Sequence, residues 1–99
     1  MKKIIGGRKY DTETAKQIGV DAYGCDFSKV YETLYQKKNG EFFIHYDGGP
    51  MSDYAVRVDA NTWGAGQKIA PVTEEQAKAW VEQHMDAEAY EAVFGEVEE

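Results

Sequence analysis

The stretch VYETLYQKKNGEFFIHYDGG, residues 30–49, decides the fold of this chain. Apolar and aromatic residues alternate with polar ones on both sides of Asn39-Gly40, a pair that tolerates the left-handed backbone angles of a tight turn. The spacing predicts one strand over residues 30–36 and a second over 41–46, with aromatic side chains on both faces. We therefore expect a β-hairpin that is at least partly covered on each side.

The residues before this hairpin predict a second, smaller one. KKII and RKY flank Gly6-Gly7, and two adjacent glycines can both take the positive φ of a two-residue turn. The following DTETAKQIG offers a capping Asp11 or Thr12 and a glycine stop at Gly19, so it predicts a short helix over residues 12–18. Residues 20–29 show no period and are interpreted as a loop.

The C-terminal residues predict two helices. In TEEQAKAWVEQHM, Thr73 and Gln76 have the spacing of a capping box. Apolar positions then recur at helical spacing and predict one buried stripe, made of Ala77, Trp80, Val81, His84 and Met85. Asp86 is expected to cap a second helix, AEAYEAVF, which stops at Gly95.

Between the hairpin and the helices the pattern is weaker. QKIAPV predicts a short strand with Pro71 at its end, and Ser52 can start a brief helix that reaches Val56 or Val58. The glycine-rich segments 47–53 and 61–67 are interpreted as loops, which could also bind a ligand. The expected architecture is α+β: a small antiparallel sheet built from two hairpins, with the C-terminal helices packed on one face. It is a single domain over residues 1–95, followed by an acidic tail, 96–99.

Composition and charge narrow the classes of function. The 99 residues have a net charge of −7, and 42% are hydrophobic, which favours a globular domain over disorder. Residues 1–73 carry ten bases and nine acids, whereas residues 74–99 carry nine acids and one base. The anionic end would attract a protein with a basic surface and repel phosphates, so we expect no direct binding of nucleic acid.

The expected location is the cytoplasm. Cys25 is the one cysteine, which suits a reducing compartment. The apolar run at the N-terminus is too short for a signal peptide, and no stretch has the length of a membrane span.

Catalytic and metal-binding motifs are weak. Gly64 and Gly66 lack the third glycine of a dinucleotide fingerprint, and Cys25 lies beside an acid that would disfavour its thiolate. His45 and His84 are interpreted as packed imidazoles rather than zinc ligands. The sequence thus predicts a non-enzymatic protein without cofactor or metal. The alternative is a small enzyme whose acid and base are drawn from Asp47, Asp53 and His45.

The candidate partner-binding residues are five carboxylates and two aromatic side chains: Glu82, Glu88, Glu91, Glu96, Glu98, Tyr54 and Trp63. Carboxylates along two helices and a tail can engage the lysines and arginines with which another protein holds phosphates. Two other interpretations stay open. The acids can be a solvated helix face only, or the protein can be an adaptor or antitoxin-like partner that binds through its aromatic sheet face, where Trp63, Tyr54 or Phe43 would matter.

Three segments carry a resemblance to a known group of proteins. KKIIGGRKYDTETAKQIG, YETLYQKKNGEFFIHYDGG and QKIAPVTEEQAKAWVEQHM together resemble short proteins encoded on plasmids, integrative elements and prophages of gut anaerobes. The group has no catalytic motif to carry over. Small proteins of such elements include inhibitors of host defence, many of them acidic, so the resemblance implies an anti-CRISPR or antirestriction type of inhibitor.

Overall fold

The predicted central hairpin lies in the middle of a four-stranded sheet. The computed structural model describes residues 1–25, 28–49 and 66–96, and the backbone of 56–57 and 63–64. The described elements are, in chain order, β1 (Lys2–Ile5), β2 (Arg8–Asp11), β3 (Lys16–Tyr23), β4 (Val30–Gln36), β5 (Phe42–Gly48), β6 (Val56–Arg57), β7 (Trp63–Gly64), β8 (Gly66–Val72), α1 (Glu74–His84) and α2 (Ala87–Phe94). The main sheet has the order β3-β4-β5-β8, every neighbouring pair is antiparallel, and both helices lie on one face. The α+β class is therefore confirmed.

The turn between β4 and β5 forms as its residues predict. Gly40 has φ of +95°, and its N–H donates to the carbonyl of Lys37 at 2.9 Å. The side-chain oxygen of Asn39 accepts from the backbone N–H of Glu41 at 3.0 Å, which satisfies a donor that the turn leaves open. The resulting register places Leu34 opposite Ile44 and Tyr35 opposite Phe43.

The helix expected over residues 12–18 is wrong. One helical turn forms, in which the N–H of Ala15 donates to the Asp11 carbonyl at 3.1 Å while the Asp11 carboxylate accepts from Glu13. The chain then extends as β3, because seven of its eight residues pair with β4, and Ile18, at a bulge in this pairing, packs against the helix-side core. A seven-residue helix is marginal by itself, so sheet pairing outweighs the local capping signal.

Two loops of the sequence interpretation contain strands. Residues 20–23 belong to β3 rather than to a loop, Gly64 ends β7, and Gly66 begins β8. Val56 is in a strand, not at the end of a helix, while Ser52 and the residues up to 55 lie outside the described part. Glycine is tolerated in a strand where another backbone approaches closely. The presence of glycine was therefore not sufficient to identify these segments as loops.

One core lies between the sheet and the helices. Leu34, Phe42 and Ile44 pack against the buried stripe of α1, in which Ala77, Trp80 and Val81 are all buried. The capping box is present: the Thr73 hydroxyl accepts from Gln76 N–H at 3.1 Å, and the Gln76 side chain accepts from Thr73 N–H at 2.8 Å. Helix α1 thus starts at a fixed place and presents the predicted stripe to the sheet.

Replacing Thr73 with alanine removes one half of this box. We expect the free energy of unfolding to fall by about 1 kcal/mol, because a helical N–H loses its acceptor. Urea unfolding followed by circular dichroism measures the change. Thr73→Ser keeps the hydroxyl and is the matched control, so an equal loss in both variants would show that the methyl group, not the cap, matters.

A second core lies on the other face of the sheet, under the β1–β2 hairpin. This hairpin forms a two-stranded sheet of its own instead of joining the main one. Its Tyr10 is buried and meets the Phe43 ring edge-on at 5.5 Å, while Tyr35 stacks on Phe43 at 5.2 Å. Phe43 is 0% exposed, so it is closed to any partner and belongs to the core.

A charged network holds this hairpin against the β4–β5 turn. Glu41 Oε1 accepts from Arg8 at 2.7 Å and from the Asn39 amide at 2.9 Å, and Oε2 lies 3.5 Å from Lys37 Nζ. Lys37 Nζ also lies 3.7 Å from the centre of the Tyr10 ring. Lost hydration acts to raise the pKa of Glu41, but the Asn39 hydrogen bond and the charges of Arg8 and Lys37 outweigh it and leave that pKa below its usual 4.5.

Neutralising this carboxylate is expected to change the pH dependence of stability. Because the folded-state pKa of Glu41 is lowered, its contribution to stability is full above 4.5 and is lost as the pH falls through the folded-state value. Glu41→Gln should therefore be less stable than the parent at about pH 7, and the difference should shrink toward about pH 3. Urea titrations at the two pH values measure this, and a constant difference would contradict the assignment.

Candidate functional site

The connection between α1 and α2 positions the candidate site. Helix α1 ends where the N–H of Met85 donates to Val81 O at 2.9 Å, and Asp86 caps α2 by accepting from Ala89 N–H at 2.9 Å. Only Met85 and Asp86 separate the helices, so the chain makes a tight elbow. The last turn of α1 and the first turns of α2 are therefore close together.

A cleft of about 300 Å³ opens at this elbow. We call it the elbow cleft, and six residues line it: Glu82, Met85, Asp86, Ala87, Tyr90 and Glu91. Three of these are carboxylates and three are apolar or aromatic. Such a lining suits a long cationic side chain, whose methylene stem covers apolar surface while its charged head meets the acids.

The carboxylates of the elbow cleft form no ion pair with the described residues. Within the described residues, no lysine, arginine or histidine forms an ion pair with Glu82, Asp86 or Glu91. One carboxylate oxygen of Asp86 accepts the hydrogen bond that caps α2, which leaves the second oxygen for another partner. Because three like charges at one site are not ion-paired within this part of the chain, an external cation would interact favourably there.

Packing against the sheet supports the floor of the cleft. In β3, a Cβ on Gly19 would lie 2.5 Å from Met85 Sδ, so the absence of a side chain lets the elbow approach the strand closely. At the other end of α2, Phe94 meets Phe42 at 5.5 Å and Tyr90 at 5.0 Å. Helix α2 is thus held along its length, and the cleft is built on packed elements rather than on a free tail.

The structure brings together some of the predicted partner-binding residues. Glu82 and Glu91 line the elbow cleft. Glu88 and Glu96 are exposed but are not among its lining residues. Glu98 and Tyr54 lie outside the described residues, and only the backbone of Trp63 is described, in β7.

Sequence reasoning missed four residues of the cleft: Met85, Asp86, Ala87 and Tyr90. Asp86 was given a capping role alone, Met85 was assigned to the buried stripe of α1, and neither Ala87 nor Tyr90 was named as a partner-binding residue. One feature of the sequence could have indicated the cleft. Glu82 and Asp86 are four residues apart at the end of α1, and the two-residue elbow turns α2 toward them.

Of the residues considered for catalysis or metal binding, the two histidines have structural contacts. His84 Nδ1 lies 3.2 Å from Asp21 Oδ2, and its ring centre is 4.8 Å from that of Trp80, so it ties α1 to β3. His45 Nε2 lies 2.8 Å from Gln67 Oε1 across β5 and β8. Cys25 is exposed, Asp47 is exposed on β5, and Asp53 lies outside the described residues.

Neither a metal centre nor a bilayer-spanning helix is found in the part of the chain that the structure describes. No three of its His, Cys, Asp and Glu side chains group in a way that could hold a metal ion. None of its helices has the length and apolar character to cross a bilayer.

The chain was compared with protein-family models, with curated proteins and with solved structures, and none of the three comparisons gave a match.

Proposed function

We propose that this protein is a non-enzymatic binding protein that inhibits a nucleic-acid-handling complex of host defence, of the anti-CRISPR or antirestriction type. In this proposal it acts in the cytoplasm and occupies a basic surface on which the complex would otherwise hold nucleic acid. The elbow cleft and the acids around it mimic the charge of a phosphate backbone.

The observation that carries the proposal is the elbow cleft. It combines three carboxylates that lack a described ion-pair partner with the apolar side chains of Met85, Ala87 and Tyr90. Acids give charge steering and a fast encounter, whereas the apolar floor offers packing against a lysine or arginine stem.

Acidic residues outside the cleft also favour a partner with a basic surface. Glu88 and Glu96 are exposed on or just after α2, so they extend the negative potential around Glu91. Clefts bordered by one sign of charge raise the local concentration of oppositely charged ligands and the rate of association, and salt weakens both.

The experiment is affinity capture followed by a test of inhibition. The tagged protein is used to capture partners from extracts of a gut anaerobe, and the captured complex is assayed for cleavage of its DNA or RNA substrate. We expect a nuclease or nucleic-acid-binding complex to be captured and its substrate binding to be blocked. Capture of a complex that still binds and cleaves its substrate normally would overturn the proposed inhibition.

The exposed sheet face supports a second candidate, a regulatory adaptor or antitoxin-like protein. Val20 is 50% exposed and Tyr31 is 46% exposed on adjacent strands, on the face opposite the helices. The double variant Val20→Ser/Tyr31→Ala distinguishes the two candidates. An adaptor that binds through this face would lose the captured partner, whereas an inhibitor that binds through the elbow cleft would keep it.

A further inference from the structure

We propose that a second cleft, on the side of the sheet away from the helices, binds the phosphate groups of a small anionic ligand. This basic cleft has a volume of about 410 Å³ and lies between the β1–β2 hairpin and the β4–β5 turn. Four cationic side chains line it: Arg8, Lys9, Lys37 and Lys38. It goes beyond the proposed function, because it involves other residues and the opposite sign of charge.

Tertiary structure creates this concentration of charge. Arg8 and Lys9 belong to one hairpin, and Lys37 and Lys38 belong to the turn of another, about thirty residues later. In the sequence, bases at hairpin ends are sufficiently explained as protection of sheet edges against aggregation. The packing of Tyr10 on Phe43 brings the two pairs to one cleft.

The two acids in the cleft do not cancel its positive charge. The Glu41 carboxylate contacts Arg8, Lys37 and the Asn39 amide, so it holds the side chains of Arg8 and Lys37 in place. Asp11 Oδ1 accepts from the N–H of Glu13. Lys9 and Lys38 are exposed and have no ion pair with a described residue, and both remain available to an incoming anion.

The donors present match phosphate chemistry. A guanidinium group and ammonium groups supply charge-assisted hydrogen bonds, and the polar residues Asn39 and Thr14 also line the cleft. A phosphate group carries several acceptor oxygens and can use donors from both hairpins at once. The volume lies in the range of small-molecule sites, so it admits a nucleotide or a short polyphosphate rather than a single ion only.

Overall charge favours a short ligand over a long nucleic acid. The protein has a net charge of −7, and the acids of α1 and α2 lie across the sheet from the basic cleft. Screening limits the attraction of the cleft to about 8 Å at physiological ionic strength, so a polymer that extends past it meets the acidic surroundings. A ligand with two or three phosphates placed inside the cleft gains the attraction without that repulsion.

Isothermal titration calorimetry with three probes tests the proposal and identifies the source of the phosphate. The probes are tripolyphosphate, a nucleoside triphosphate without divalent metal, and a single-stranded oligonucleotide, each at low and at physiological salt. We expect the two small probes to bind and to saturate at one site. Binding of the oligonucleotide alone would keep the phosphate site but overturn its assignment to a small ligand, and binding of none of the probes would overturn the proposal.

Charge-reversal variants locate the binding. Lys9→Glu/Lys38→Glu should weaken binding of the small probes by about tenfold or more, the equivalent of at least one lost charge-assisted contact. Lys29→Glu/Lys68→Glu changes the net charge equally at exposed positions outside the cleft. An equal loss of affinity in both variants would show general electrostatics and would contradict a site.

A second readout separates this proposal from the proposed function. The backbone amide signals of residues 8–15 and 37–41 should shift in NMR spectra when tripolyphosphate is added, while those of residues 82–91 stay in place. In the capture experiment, Lys9→Glu/Lys38→Glu should still bind the partner of the elbow cleft. Loss of tripolyphosphate binding and loss of partner capture can therefore occur independently.

Discussion

Replacing Phe43 with alanine is expected to lower the free energy of unfolding by about 3–5 kcal/mol. Phe43 is 0% exposed, with Tyr35 stacked on it at 5.2 Å and Tyr10 edge-on at 5.5 Å, and it packs with Ile69. Removing the ring leaves a cavity and also releases the contact that holds the β1–β2 hairpin. Urea unfolding followed by tryptophan fluorescence measures the loss.

The matched control is Tyr31→Ala on the same face of the sheet. Tyr31 is 46% exposed, so its removal should cost less than about 1 kcal/mol. Since a domain of this size has only about 5–15 kcal/mol of stability, the Phe43 variant should also unfold at a clearly lower temperature. Equal effects of the two substitutions would show that the hairpin does not seal the second core.

Reversing two charges at the elbow cleft is expected to weaken partner binding by about a hundredfold or more. Glu82→Lys/Glu91→Lys replaces two attractive carboxylates with two repulsive ammonium groups, while the apolar floor of the cleft is untouched. Most of the loss of affinity should come from a lower association rate, because electrostatic steering depends on the electric field outside the cleft. Surface plasmon resonance at several salt concentrations measures both rates.

A control variant separates the effect of net charge from the effect of where the charges lie. Glu13→Lys/Glu75→Lys makes the same change of charge at exposed residues outside the elbow cleft. We expect it to slow association only a few-fold and to leave the dissociation rate unchanged. Comparable losses in the two variants would mean that the partner senses the overall field of the molecule and does not occupy the cleft.

Removing residues 87–99 is a poor substitute for these variants. It would delete α2, whose Phe94 packs on Phe42 and whose Tyr90, Val93 and Phe94 cover the helix-side core. A truncated protein would lose stability together with the acids, so its failure to bind would not distinguish the two causes. Charge reversal at exposed side chains avoids this.

Local chemistry predicted the elements whose signals lie within a few residues. Asn39-Gly40 marked the central turn, Thr73 and Gln76 marked the start of α1, and Asp86 marked the start of α2, as the structure confirms. Each of these features depends on hydrogen bonds between near neighbours in the chain. The sequence therefore specified them without knowledge of the sheet order.

Strand β3 and both clefts depend on contacts between distant residues. From the sequence, residues 16–18 belong to an expected helix and residues 20–23 to an expected loop, and only pairing with β4 makes Lys16–Tyr23 a strand. The elbow cleft needs the angle between two helices, and the basic cleft needs one hairpin packed on another. Periodicity in one sequence contains no information on such angles. This explains why the sequence did not predict that Asp86 lines the elbow cleft or that Lys9 and Lys38 line one basic cleft.

Site-specific photo-crosslinking tests the central claim, that a basic partner occupies the elbow cleft. A photoreactive amino acid is placed at position 82 in the cleft, and in separate variants at position 31 on the sheet face and at position 29 as a surface control. We expect crosslinks to a lysine- or arginine-rich segment of the partner from position 82 and from neither other position. Crosslinks from position 31 with none from position 82 would contradict it.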